Sequence, residues 1–406
     1  MNDPQASRVT PRPAPTIRPA LTRPVSLAVA GDDFGWGSVG LLAAILGALG
    51  LRENGRNRYL GLDTNGGRPV LRHHAVHHWA DTSSLTDAEL RDLLARHSVE
   101  AALVVLNAEL AMRLEALDCR VVYVDTNPFM WTEHELVPQH VTRYCAQLCP
   151  ALPQPCWPVL RGISSLHWVG RIIGPHPSEP AAPVPGKAVL NFGGLHSPAT
   201  SSGSIEAYVR LVATAMLRAF QAHGYDQVVI TGNLDPDRLP LPADLTRGMK
   251  LSGGRLPRER FLNELATADI VATSPGQTTL LELGALGRRA VVLPPQNLSQ
   301  ILHAAEVAQV VDPGIVVSWP PGTVDQDRVA RERTRGEDWA ITTMYSEISA
   351  AAAARPEGIP QLAQACTRAL TYARNKQVDL TRLGAVTGNE GADTVADILH
   401  DLLRSR

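Results

Sequence analysis

Pro275 and Gly276 close the strand-forming run DIVATS, and Gln277, Thr278 and Thr279 follow where a helix should open. Backbone N–H groups at a helix N-terminus, backed by the helix dipole, favour a phosphate, and small hydroxyls add donors without blocking it. Glu282 lies one turn beyond Thr278, where a carboxylate can accept both hydroxyls of a ribose whose phosphates rest on the helix start. A capping loop followed by an exposed helical Glu would use the same residues. Upstream, NFGGLHSP places Gly193 and Gly194 after a strand, where a diphosphate can approach bare backbone, although Gly-Gly alone also makes a plain turn. Gly253, Gly254 and Arg255 follow a short strand and could give main-chain contacts to a base. In QNLSQ, the amides Gln296, Asn297 and Gln300, with the Ser299 hydroxyl between them, suit sugar hydroxyls.

The N-terminal half carries a second set. Asp32 and Asp33 occupy a strand-to-helix loop, GDDFGWGSVG, that also holds Trp36 and Ser38. A carboxylate at this rim can take a proton from an acceptor, with Asp33 the first choice and Asp32 its rival. Each would equally cap the helix beginning near Ser38. Asp125 ends VVYVD, and Asn127 and Trp131 follow; the indole could stack on an acceptor that Asp125 orients, or simply be buried beside a strand-end turn. His73, His74, His77 and His78 could pair on a metal only if they were helical, whereas RPVLRHHAVHHW reads as a strand or its exit. Cys145 and Cys149 would share a helix face near Cys156, but paired metal-binding knuckles are missing, so buried thiols and no metal are expected.

These loops need rigid elements behind them. The apolar VSLAVA, YLGLD, AALVVLN and CRVVYVD alternate with helical stretches, which predicts an α/β class with a parallel sheet. GPHPSEPAAPVPGK is too proline-rich for either element. The series then restarts with AVLNFGG, a long helix, DQVVITG, DIVATSPG and AVVLPP, a second doubly wound sheet. The expected division is a disordered lead-in 1–24, an acceptor-binding domain 25–173, a linker 174–187, a donor domain 188–360 and C-terminal helices 361–406. Ligands of such sheets bind at the carboxyl ends of strands, in the cleft between the halves.

The 406 residues hold 38 Lys+Arg against 40 Asp+Glu, a balance that argues against a grip on nucleic acid or an anionic membrane. No apolar run reaches the roughly 20 residues that span a bilayer. Five cysteines, an odd number, fit a reducing cytoplasm.

The run from Arg255 through Ala304 resembles the donor region of nucleotide-sugar glycosyltransferases of the two-Rossmann-domain GT-B fold. It is most like the antibiotic and macrolide glycosyltransferases and the GlcNAc transferase of peptidoglycan lipid synthesis. The likeness rests on Ser274-Pro275-Gly276-Gln277-Thr278-Thr279, on Glu282, on AVVLPP and on Ser299-Gln300-Ile301-Leu302-His303-Ala304, and extends to WVGRIIGP and GWGSVGLLAAILGAL. It implies a UDP-sugar co-substrate, a small-molecule acceptor and no obligatory metal or other cofactor. It also implies donor roles for Gly193, Gly194, Arg255, Ser274, Gly276, Gln277, Thr278, Thr279, Glu282, Gln296, Asn297 and Gln300. Three departures stand out: Ser38 and Ser274 replace histidines of that family, and Ser299 replaces the Asp of its sugar-contacting Asp-Gln pair. A nucleotide-sugar epimerase or hydrolase of this architecture would account for the missing acceptor-side histidine, and a non-catalytic nucleotide-binding partner for Ser38 and Ser299. Alanine, arginine and proline usage is compatible with a high-GC bacterium and specialised-metabolite (antibiotic) biosynthesis.

Overall fold

A computed structural model describes residues 24–32, 34–53, 57–63, 68–71, 74, 76–135, 137–149, 155–174, 181–239, 241–355, 358–385 and 387–405. Asp33, His73, nearly all of the lead-in 1–24 and residues 175–180 of the expected linker lie outside them.

The first half runs β1 (Ser26–Gly31), α1 (Gly37–Glu53), β2 (Arg58–Asp63), α2 (Arg68–Leu71), β3 (Val76–Asp81) and α3 (Asp87–Arg96). It continues through β4 (Ala101–Val105), α4 (Ala108–Glu115), β5 (Val121–Asp125), β6 (Arg143–Gln147), α5 (Cys156–Arg161) and β7 (Leu166–Val169). The second half opens with β8 (Val184–Asn191), α6 (Ser202–Ala222), β9 (Gln227–Thr231), α7 (Ala243–Gly248), β10 (Lys250–Gly254) and α8 (Arg258–Thr267). Then come β11 (Ala268–Thr273), α9 (Gln277–Ala285), β12 (Ala290–Val292), α10 (Leu298–Val310), α11 (Gln326–Arg331), α12 (Glu337–Ala354), α13 (Pro360–Asn375), α14 (Arg382–Ala385) and α15 (Gly391–Arg404).

Two parallel sheets result, ordered β3-β2-β1-β4-β5-β6-β7 and β10-β9-β8-β11-β12. In each, the first strand pairs with both the second and the fourth, so the strand order reverses beside it. That reversal parts the two following loops and opens a crevice at the strand ends. Both faces of the first sheet are covered, as its unbroken apolar strands require. Leu27 and Val29 of β1 pack with α1 and α15, while Ala28 and Ala30 face the opposite layer that holds Leu90 and Leu114. This follows from the two-residue period of side chains along a strand.

The chain crosses between the halves twice, side by side. Arg171 N donates to Gly388 O at 2.8 Å and Gly391 N to Arg171 O at 3.1 Å. The two last long helices part company there: α13 packs on α6 of the second half, and α15 returns to α1 of the first. The HHAVHHW stretch enters β3 at Val76. Cys145 lies in β6 and Cys156 in α5, so the shared helix face imagined for Cys145 and Cys149 does not form. Among the described residues no three His, Cys, Asp or Glu side chains gather as a metal group, and no helix is long and apolar enough to cross a membrane.

Candidate functional site between the sheets

A cavity of about 630 Å³ lies between the carboxyl ends of the two sheets, within the size range of small-molecule sites. Its walls combine Asp32, Trp36, Ser38, Asn127 and Trp131 from the first half with Gly193, Gly194, Arg255, Ser274, Gly276, Gln277, Thr278, Thr279, Glu282, Gln296, Asn297 and Gln300 from the second. Asp125 is the one candidate among the described residues that does not reach it.

The second-half wall is built from strand ends. Asn191, where β8 stops, donates from Nδ2 to Thr273 Oγ1 (3.0 Å), and its Oδ1 accepts Thr231 Oγ1 (3.0 Å) and Gly193 N (3.1 Å). One buried amide thus ties the ends of three neighbouring strands and sets the glycine loop. Gly193 has φ +70°, a left-handed conformation that glycine adopts without cost. Tyr208 braces the next loop from below, its hydroxyl 2.9 Å from Pro294 O and 3.3 Å from Ser274 Oγ.

Helix α9 opens on the cavity from Gly276, with no side chain capping its first turn. Its early N–H groups therefore await an acceptor. Gln147 of β6 donates to Gln277 Oε1 at 2.8 Å across the cleft, which leaves the buried Nε2 of Gln277 without a partner. Glu282 does not wait as an exposed carboxylate. It is buried, and Arg258 Nη1 lies 2.7 Å from its Oε1, because the second turn of α9 is covered by the start of α8. Burial raises its pKa and Arg258 pulls it back.

The amide loop is tightly ordered. Asn297 caps α10, accepting Gln300 N at 2.8 Å and the Ser299 hydroxyl at 2.9 Å. Gln300 Oε1 accepts Gln296 N at 3.2 Å, and Gln296 Oε1 accepts the Tyr345 hydroxyl. Both carbonyl oxygens are thereby engaged and the NH2 ends become the groups available for a ligand. Sequence reasoning missed Glu337, which enters from α12. It accepts Leu298 N (3.1 Å), Ser299 N (3.3 Å) and Ser299 Oγ (3.1 Å), placing a half-buried carboxylate on Ser299. Its only local signal is a Glu at a helix start, which reads as ordinary dipole charge. Burial pushes Glu337 up to about 7, against the pull of those Ser299 and Leu298 donors. The folded pKa lies above the ordinary 4.5, so folding favours the protonated form, and stability is lost as pH rises from about 4.5 to about 7. Melting temperatures across that window should fall for the native chain and fall less for Glu337→Gln; equal slopes would remove Glu337 as the source.

On the first-half wall, the Ser38 hydroxyl donates to Asp32 O at 2.9 Å, so its one proton is spent fastening the loop. Asp125 is a correction to the acceptor reading: its carboxylate is fully buried behind the wall. Oδ2 accepts Trp131 Nε1 (2.6 Å) and the Tyr144 hydroxyl (2.8 Å), and Oδ1 accepts Asn127 N (2.8 Å). Burial raises its pKa to about 6 despite these donors. Asp125 shapes the wall by fixing Trp131 and Asn127, which do reach the cavity. Phe34, Leu106 and Met130 complete an apolar side opposite the polar one.

The halves touch around this cavity. Gly35 N donates to His196 O at 2.9 Å, and a Cβ on Gly194 would lie 2.3 Å from Gly35 Cα and Trp36 N. Elsewhere Arg333 Nη2 donates to Phe129 O, and Arg171 pairs with Glu306.

No family model matches the sequence, and no curated protein matches it. Solved structures do. A UDP-glucosyltransferase from Polygonum tinctorium, described as capable of glucosylating indoxyl, aligns at 14% identity over 95% of this chain and 100% of its own, with a TM-score of 0.53. The glycotransferase of kitacinnamycin aligns at 13% identity over 94% of this chain and 99% of its own, TM-score 0.51. UGT89C1 of Arabidopsis thaliana, complexed with UDP, aligns at 13% identity over 94% and 100%, TM-score 0.53. Two facing parallel sheets with this strand order are the GT-B architecture, and the likeness establishes that fold for this chain.

Proposed function

We propose that the chain is a glycosyltransferase that moves a sugar from a nucleoside diphosphate, UDP in the first instance, to a small acceptor. The observation that carries this reading is the uncapped start of α9 facing the cavity, with the buried, unpartnered Nε2 of Gln277 beside it and Thr278 and Thr279 on the same turn. A departing diphosphate develops negative charge there, and preorganised N–H donors at the helix start stabilise it with no cation required. Gly193 and Gly194 give the phosphates room, Glu282 meets the ribose hydroxyls once Arg258 yields or shares it, and the NH2 ends of Gln296 and Gln300 meet the sugar. The apolar wall of Phe34, Met130 and Trp131 suits an aromatic or otherwise apolar acceptor. Transfer to such a compound, as in specialised metabolism, fits that lining. The one GT-B neighbour above that is complexed with UDP supports the choice of nucleotide.

A thermal-shift series over nucleotides tests the reading. UDP and UDP-glucose should raise the transition temperature, because a ligand bound only to the folded chain adds about 2.7 kcal/mol when present at roughly 100 times its Kd. Glu282→Ala should weaken UDP by about tenfold or more in calorimetry, about 1.4 kcal/mol. No shift with any uridine or deoxythymidine diphosphate would overturn the assignment.

A further inference from the structure

His303 sits on α10 one turn beyond Ser299 and lines the cavity from the second half. Its ring is nearly buried, and Phe129, from the loop that carries Asn127, Met130 and Trp131, presents an edge to it at 5.2 Å and 76°. The imidazole therefore stands where the sugar-facing helix meets the acceptor wall. Behind it, His303 Nδ1 is 3.8 Å from Glu306 Oε2, and the other oxygen of Glu306 is held by Arg171. Arg171 is itself buried, with Nε donating to Thr387 Oγ1 at 3.3 Å. Burial alone would raise the Glu306 pKa, but His303 and Arg171 together bring it below the ordinary carboxylate value, so it stays ionised. An ionised carboxylate 3.8 Å from Nδ1 compensates an imidazolium when one forms, which strengthens the ring as a proton acceptor.

We propose, building on the transferase reading above, that His303 is the general base of the reaction, with Glu306 and Arg171 as the residues that position it. The acceptor O–H gives its proton to His303 Nε2 as the oxygen bonds to the anomeric carbon. The bond from that carbon to the diphosphate oxygen breaks, its electron pair leaves with the nucleoside diphosphate against α9, and the imidazolium later releases its proton to water. This assigns to the second half the role that Asp32 and Asp33 were expected to fill from the first.

The test compares two acceptors with UDP-glucose, at a pH where para-nitrophenol is already ionised and para-cresol is not. His303→Gln should cut transfer to para-cresol by about 100-fold or more. It should leave transfer to para-nitrophenolate within a few-fold, since that acceptor has no proton to lose. UDP affinity by calorimetry, and a second variant, His303→Asn, check that the site is still folded. Equal losses with both acceptors, or no loss with para-cresol while UDP affinity is kept, would overturn the base assignment. A native chain that consumes UDP-glucose with neither phenol would overturn the transferase reading together with it.

Discussion

Alanine at Gly194 should lower kcat/KM for transfer by about 100-fold or more and weaken UDP binding as well, since Gly194 stands beside the proposed seat of the phosphates. The new methyl would lie 2.3 Å from Gly35 Cα and from Trp36 N, both backbone atoms of the opposite half, so no side chain can swing aside to admit it. The halves must separate or the β1–α1 loop must shift, and the bond from Gly35 N to His196 O is lost with it. Helix α9 and the amide loop lie wholly on the second half, so those parts of the nucleotide's seat keep their geometry while the Gly193–Gly194 loop does not. The acceptor wall moves, and a displacement of about 1 Å between reacting groups costs on the order of 100-fold in rate. Steady-state kinetics and a UDP titration on the same variant decide it; full turnover would show that the closed contact is dispensable.

The second large effect is on stability. Asp125→Ala should cost about 3–5 kcal/mol in urea unfolding followed by tryptophan fluorescence, since three neutral donors at about 1–3 kcal/mol each lose their acceptor. Those donors are Trp131 Nε1, the Tyr144 hydroxyl and Asn127 N. Asp125→Asn, with similar shape and one oxygen retained, should lose less. A loss below about 1 kcal/mol for the alanine variant would mean water replaces the carboxylate. Whatever activity survives should show a raised KM for acceptor, because Trp131 is no longer pinned.

The strand-and-helix series was legible where a buried strand is a short apolar run, as in β1, β2, β4, β5, β8, β9, β11 and β12, whereas β6, whose Cys145 was expected on a helix, and β7 were not read as strands. The start of α9 was legible for a related reason: a strand end, a turn and a helix start are made by consecutive residues, here from Thr273 to Thr279. Pairings between distant segments left no such trace. Glu337 reaches Ser299 from 38 residues downstream in a stretch that reads as solvated charge. Arg258 holds Glu282 from another helix, so a carboxylate that local spacing left open is already engaged. Asp125 was correctly seen at a strand end, but a strand end can point behind a wall as well as through it, and only the partners Trp131 and Tyr144 decide which. His303 looked like one letter in a helical run until Arg171 and Phe129 arrived from other segments, beside its neighbour Glu306 on the same helix.

Helix α15 has a consequence for how the molecule is made. Val395, Leu399, Leu402 and Leu403 complete the layer over β6 and β7 beside α1, and Arg120 Nη1 donates to Leu402 O at 2.9 Å. The first sheet, although synthesised first, thus lacks part of its cover until the ribosome has read past codon 403. During that interval α1 presents a bare apolar flank, and the nascent first half is the stage at which a chaperone would have most to hold. A fragment ending after β7 would inherit the same exposed flank permanently, so the two halves of this chain are poorly separable by cutting between the sheets.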